Sequence, residues 1–231
     1  MFVAVKFRTL ASVMLIILII AGIAVFPGAK RAETLSANNR YTLVIDAGHG
    51  GRDGGAVAES GLKESDVNLE IALKMRDLAA FLGQNCVLTR ETDTDFADGG
   101  KYSEHDNLVK RAEFTNRTPN AELISVHQNN YPSALVKGAE VMYSLNDDSR
   151  VLAEISQYNL VTYLDSENRR VAHPAPENLL LTSSVSCPAI LAECGFMSNP
   201  DEAEKLATDE YTTKIALILM CSYIQFADKT I

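Results

Sequence analysis

The residues able to do chemistry stand at the ends of apolar runs. Tyr41-Thr42-Leu43-Val44-Ile45 leads into Asp46-Ala47-Gly48-His49-Gly50-Gly51-Arg52-Asp53-Gly54-Gly55, His127 follows Leu123-Ile124-Ser125-Val126, and Glu193 follows Ala189-Ile190-Leu191-Ala192. If each run is a strand of one sheet, the three groups meet at its carboxyl edge, where open α/β folds hold their ligands. Glu64, which opens a helical pattern after the glycine loop, joins them. Two imidazoles and a carboxylate from separate elements form a His2Glu donor set, which suits zinc and leaves a fourth position for water. A further carboxylate near that water, off the metal, would serve as general base.

Plainer readings exist for each residue. A histidine after a strand can be a hydrogen-bonded loop residue, and Glu64 alone a first-turn acid that favours the helix dipole. Glu193 resists such a reading. It lies between Pro188-Ala189-Ile190-Leu191-Ala192 and Cys194-Gly195-Phe196, and an unpaired charge buried there is costly. The glycine loop is open enough for a ligand to approach the backbone. A dinucleotide fingerprint would need glycine where Asp53 stands, and no Lys-Ser/Thr follows to make a P-loop, so nucleotide binding is excluded.

The elements that position these groups read as follows. Cys86 to Thr89 and Ala139 to Tyr143 add two strands. Asp66 to Leu82 is a helix with apolar residues at 67, 71, 75, 78 and 82 and Ser65 as N-cap, and further helices fall near 106–117, 149–164 and 210–226. Strands without clean alternation are buried on both faces, so the fold class is α/β, a three-layer sandwich with helices on both faces of a largely parallel twisted sheet. The run Ile215 to Cys221 in the last helix is too short to span a membrane and is expected to pack on the sheet.

Residues 1–31 contain four basic residues and no acid, and Leu10 to Phe26 is almost wholly apolar. About 20 helical residues cross a bilayer, so this segment reads as an uncleaved membrane anchor, with a signal peptide as the alternative. Either exports the rest: a linker over 32–40 and a catalytic domain over 41–231. Residues 32–231 hold all 30 acids and 17 of the 21 Lys and Arg residues. So acidic a body does not suit a nucleic-acid binder. Cys86, Cys187, Cys194 and Cys221 are expected as buried free thiols. Across a strand, Cys187 and Cys194 would lie about 23 Å apart, too far for a disulfide.

Several ordered motifs then point to a family. They are Asp46-Ala47-Gly48-His49-Gly50-Gly51, Gly61-Leu62-Lys63-Glu64-Ser65-Asp66-Val67-Asn68-Leu69, Leu88-Thr89-Arg90, Ser125-Val126-His127-Gln128-Asn129 and Glu193-Cys194-Gly195-Phe196-Met197-Ser198-Asn199-Pro200. From Tyr41 to Phe226 the chain resembles the zinc-dependent N-acetylmuramoyl-L-alanine amidases of bacterial cell walls, with their amidase_3 domain of phosphorylase/hydrolase-like fold. The resemblance implies Zn2+ as cofactor, His49, Glu64 and His127 as its ligands, and Glu193 as the catalytic acid and base. Asn168-Arg169-Arg170-Val171-Ala172-His173 and Asn178-Leu179-Leu180-Leu181 are similar to the germination-specific amidases of spore formers. Those remove stem peptides from spore cortex peptidoglycan, after which a muramic acid deacetylase forms muramic δ-lactam. Gln128 and Asn130 depart from the commoner small or apolar residues beside the second histidine, and Ala47 stands where proline is frequent.

Around this core, Asp46 and Asn129 are candidates for orienting the ligand histidines, with fixing the turns as the competing role. Arg90 and Arg111 could hold a stem-peptide carboxylate, with structural pairing to nearby acids as the competing role. His105 and His173 fall in expected loops and are read as surface or substrate-loop residues. Segments 91–106, 128–138 and 165–187 could wall a groove for glycan and peptide. The rival readings are a zinc peptidase, whose ligand His and Glu usually lie three apart in one loop, and an inactive wall-binding scaffold. An activating partner and the choice between spore cortex and vegetative wall are left open by the residues.

Overall fold

The computed structural model describes residues 40–96 and 100–229, so the expected anchor and the linker up to residue 39 lie outside the described residues. Among the described residues no helix is long and apolar enough to cross a membrane. The strands are β1 (Thr42–Ala47), β2 (Cys86–Leu88), β3 (Ala121–Asn129), β4 (Glu140–Tyr143), β5 (His173–Pro174) and β6 (Ala189–Phe196). The helices are α1 (Glu64–Phe81), α2 (Glu104–Arg117), α3 (Asp147–Tyr163), α4 (Leu180–Ser184), α5 (Pro200–Leu206) and α6 (Asp209–Lys229). The sheet order is β2-β1-β3-β6-β4-β5. β2, β1, β3 and β6 are parallel, and β4 runs antiparallel to β6.

Alternate strand residues feed two cores, which is the three-layer sandwich expected. Leu43, Ile45, Ile124, Val126, Ile190 and Ala192 pack with Ile71 and Met75 of α1, Leu152 of α3 and Leu219 of α6. Val44, Leu123 and Ala189 face the other way, against Ala112 of α2 and Leu181 of α4. The apolar run in α6 packs chiefly against α1 and α3 rather than flat on the sheet. A second helix layer there accounts for a helix with few polar positions. Chain order turns from β2 on one side of β1 to β3 on the other. The carboxyl edge between β1 and β3 is therefore the switch point of the sheet, a natural crevice.

Four local expectations are corrected. Ser65 is not the N-cap, because α1 begins at Glu64 with Lys63 in the cap position and no side-chain cap. Carbonyls of the glycine loop replace it: Glu64 N–H donates to Ala56 O (2.8 Å) and Ser65 N–H to Gly54 O (3.1 Å), satisfying donors that a helix start leaves open. β3 runs past Val126, so His127 is a strand residue rather than the residue after the strand, and β6 continues beyond Glu193 to Phe196 instead of closing there. His105 lies in α2, not in a loop. The cysteines are free, but only Cys194 is buried, and Cys221 is exposed on α6.

Candidate active site

The glycine loop bends His49 back over the sheet edge. His49 has a positive φ of 60°, a conformation a non-glycine residue holds only where its surroundings impose it. Arg111 imposes much of it. Its buried guanidinium donates to the carbonyls of Ala47 and His49 and to Asp46. Arg90, also buried, donates to Ala47 O (2.9 Å), Gly48 O (3.0 Å) and Ser65 O (2.7 Å). A Cβ at Gly48 would overlap the His127 imidazole. At Gly55, where φ is +64°, a Cβ would meet Glu64 Oε2 at 2.6 Å. Glycine at these two positions makes room for the site.

Glu64 is the hub. Its Oε1 lies 3.2 Å from His49 Nε2 and 3.0 Å from His127 Nδ1. It also accepts from Gln128 N–H (3.0 Å) and Asn68 Nδ2 (3.2 Å), while Oε2 accepts from Ala56 N–H (2.9 Å). Burial opposes the charged form of Glu64, but the bonds from His127 and His49 outweigh it and hold the carboxyl well below the ordinary range. On the far side of His49, Nδ1 is 2.8 Å from Asp53 Oδ2, which also accepts from Tyr102 Oη at 2.9 Å. Burial alone would lower the His49 pKa, and the bonds to Asp53 and Glu64 raise it to about 10.

One ligand atom each from His49, Glu64 and His127 lies within 4.8 Å of the others, a grouping able to hold a metal ion. Four-coordinate zinc with ligands at about 2.1 Å separates neighbouring ligand atoms by about 3.4 Å. The Glu64–histidine separations of 3.0 and 3.2 Å come close to that edge. The donor set and spacing therefore fit zinc.

Glu193 is the register partner of His127 across β3 and β6. Its Oε2 is buried with no hydrogen-bond partner among the described residues. Burial above all, with Glu64 and Glu140 adding to it against the pull of His127, raises its pKa to about 7. Glu140 of β4, the next residue in the same row, accepts from Asn129 Nδ2 and from Arg170 Nη1, both at 2.7 Å.

The residues expected around the core take other places. Asp46 bonds Thr89 (2.7 Å), Ser125 (2.6 Å) and Arg111, not a histidine. Asn129 serves Glu140 rather than an imidazole. Arg90 and Arg111 are buried and brace the glycine loop and its neighbours, Arg111 pairing with the acid Asp46 and Arg90 with carbonyls instead of acids. His173 lies in β5 with Nε2 3.6 Å from Glu140. Of the segment 91–106, Asp93 accepts from Gly51 N–H (2.7 Å) and Asp95 pairs with Arg52 (2.8 Å), so it clamps the glycine loop.

Sequence reasoning missed Asp53, Asn68, Tyr102 and Glu202. Asn68 carried a signal, a polar residue on the apolar stripe of α1 beside Val67 and Ile71. Glu202, whose carboxylate accepts from Gly138 N–H and Phe196 N–H, follows Asn199-Pro200 with the spacing of a capping box.

The model of the Amidase_3 family, N-acetylmuramoyl-L-alanine amidase, matches residues 43–220. The germination-specific N-acetylmuramoyl-L-alanine amidase of Bacillus subtilis (strain 168) is 35% identical over 179 residues, 75% of this chain and 74% of that one. The structure of the CwlD amidase from Clostridioides difficile in complex with the GerS lipoprotein aligns with a TM-score of 0.76 and 31% identity, covering 82% of this chain and 99% of that one. An N-acetylmuramoyl-L-alanine amidase from Clostridium difficile 630 aligns with a TM-score of 0.72 and 28% identity, over 83% and 98%. With the family model spanning most of the sheet and every element that meets at the site, the chain belongs to the Amidase_3 family and is an N-acetylmuramoyl-L-alanine amidase.

Proposed function

We propose that the chain hydrolyses the amide between the lactyl group of N-acetylmuramic acid and L-alanine with zinc held by His49, Glu64 and His127, and with Glu193 as general acid and base. The observation that carries this is the convergence of the three ligand atoms within 4.8 Å, beside a carboxylate whose Oε2 has no partner among the described residues. When bound, zinc would act as a Lewis acid towards the amide carbonyl and acidify the attacking water. Glu193 takes the proton of that water and returns it to the departing amine. Burial favours the protonated form of Glu193 that holds this proton between the two steps. Asp53 fixes the His49 ring so that Nε2 faces Glu64.

We further propose that the substrate is spore cortex peptidoglycan, cleaved ahead of muramic δ-lactam formation by a deacetylase, with the vegetative wall as the alternative. The likeness to a germination-specific amidase supports this reading. The apolar segment over residues 10–26 would hold the domain at the outer face of the membrane, or direct its secretion if cleaved. A lipoprotein is the class of partner proposed for this chain, by likeness to the CwlD amidase in complex with the GerS lipoprotein. Metal analysis tests the site: His49→Ala loses zinc, whereas a full equivalent of zinc in that variant removes His49 from the ligand set. Deletion in the host tests the substrate: δ-lactam disappears from the cortex, and its persistence rejects the cortex role.

A further inference from the structure

Gln128 follows His127 on β3, and its side chain is buried at 3% exposure. Its Nε2 donates to Asn68 Oδ1 at 3.2 Å. The Asn68 amide, fully buried on α1, turns Nδ2 towards two acceptors, Glu64 Oε1 and Gly48 O, each at 3.2 Å. The main-chain N–H of Gln128 reaches the same Glu64 Oε1 at 3.0 Å. One residue thus grips Glu64 twice, directly through its backbone and at one remove through its side chain.

We infer that Gln128 is a positioning residue: by donating to Asn68 Oδ1 it reinforces the amide orientation that keeps Asn68 Nδ2 on Glu64, and so steadies the Glu64 carboxylate in the orientation that binds zinc. This rests on the zinc-ligand reading of Glu64. The physical reason lies in the symmetry of a carboxamide. Asn68 can rotate by half a turn with little change of shape, which would bring Oδ1 against the Glu64 carboxylate and leave Nδ2 facing away. In a buried site an acceptor facing a carboxylate is costly, as is a donor without a partner. The Gln128 donor adds a third contact, beside Glu64 Oε1 and Gly48 O, that the flipped amide would lose. With Asn68 locked, a donor stays on Oε1 and Glu64 does not swing away from His49 and His127. A small residue at 128 would leave Asn68 Oδ1 without this donor and the amide held by Nδ2 alone.

The test is zinc affinity by chelator competition on the full chain for wild type, Gln128→Met, Asn68→Ala and the double variant, with thermal unfolding of the zinc-free protein alongside. Methionine keeps the length of the side chain and lacks the donor. Gln128→Met is expected to weaken zinc binding about ten-fold. The double variant should bind within about two-fold of Asn68→Ala alone, because Gln128 acts through Asn68. A Gln128→Met affinity equal to wild type, with only the unfolding temperature lowered, overturns the inference by reducing Gln128 to packing. Losses that add fully in the double variant overturn it too. A wild-type chain that binds no zinc instead defeats the ligand reading itself. Should Gln128→Met not fold, Gln128→Ala replaces it under the same two criteria.

Discussion

His127 on β3 and Glu193 on β6 are register partners in a parallel ladder, so the two side chains leave the same face of the sheet side by side. That adjacency puts a carboxylate next to the candidate metal ligands without making it one of them. Nothing among the described residues bonds Glu193 Oε2, and a purely structural glutamate would leave that desolvation uncompensated. Glu193→Gln is therefore expected to lower kcat by about 10²–10⁴ while zinc content, read by atomic absorption, stays at the wild-type level. Full turnover in that variant rejects the general-base role.

Asp53 is the acceptor that orients His49, and Asn129 is not. Asp53→Asn should weaken zinc binding by about 10–100-fold, because His49 Nδ1 loses its carboxylate partner at 2.8 Å. Asn129→Ala should leave zinc affinity unchanged, since its side chain serves Glu140. Chelator competition on both variants checks the contrast, and equal losses would contradict it.

The buried pair of Asp46 and Arg111 holds the loop that carries His49. Removing Arg111 strands a buried carboxylate, so Arg111→Met should cost about 3–5 kcal/mol in urea unfolding. The pair also predicts a pH dependence. Burial disfavours the Asp46 carboxylate, but Arg111, Ser125, His127 and Thr89 outweigh it and lower the pKa from 3.8 to about 2. A lowered carboxylate contributes stability that is complete above its unfolded value and is lost as pH falls towards the folded one. About 2 kcal/mol should therefore disappear between pH of about 4 and about 2. Asp46→Asn should flatten that part of the acid-unfolding curve, and an unchanged curve would show that Asp46 does not carry it.

Cysteine labelling separates the surface from the core. Cys221 is exposed on α6, and Cys194 is buried, with burial pushing its thiol well above the ordinary range. A thiol reagent followed by peptide mass spectrometry should modify Cys221 in the native protein and Cys194 only after unfolding. Native modification of Cys194 ahead of Cys221 would contradict the packing of β6.

Much of this molecule was legible in the residues. The non-alternating runs around Ile45, Ile124 and Ile190 required a sheet covered on both faces, and Val67, Ile71 and Met75 marked the helix that covers one of them. His49, Glu64, His127 and Glu193 could be brought to one edge because parallel strands end together. Partners set by tertiary contact were not legible. Asp46 and Arg111 meet across 65 positions, and Asp53 and Tyr102 across 49, so sequence spacing carries no trace of either pair. Ser65 was misread for a related reason: carbonyls from the preceding loop replaced the side-chain cap that a local rule demands.

The central claim is that this fold cuts the muramoyl–alanine amide with Glu193 beside a His2Glu metal site. The most direct measurement is mass spectrometry of products from purified peptidoglycan treated with the zinc-loaded chain and with Glu193→Gln. Wild type should leave free lactyl carboxylate on muramic acid and a new L-alanine amino terminus, and the variant neither. A cut between amino acids of the stem peptide, or the same products from the variant, would contradict it.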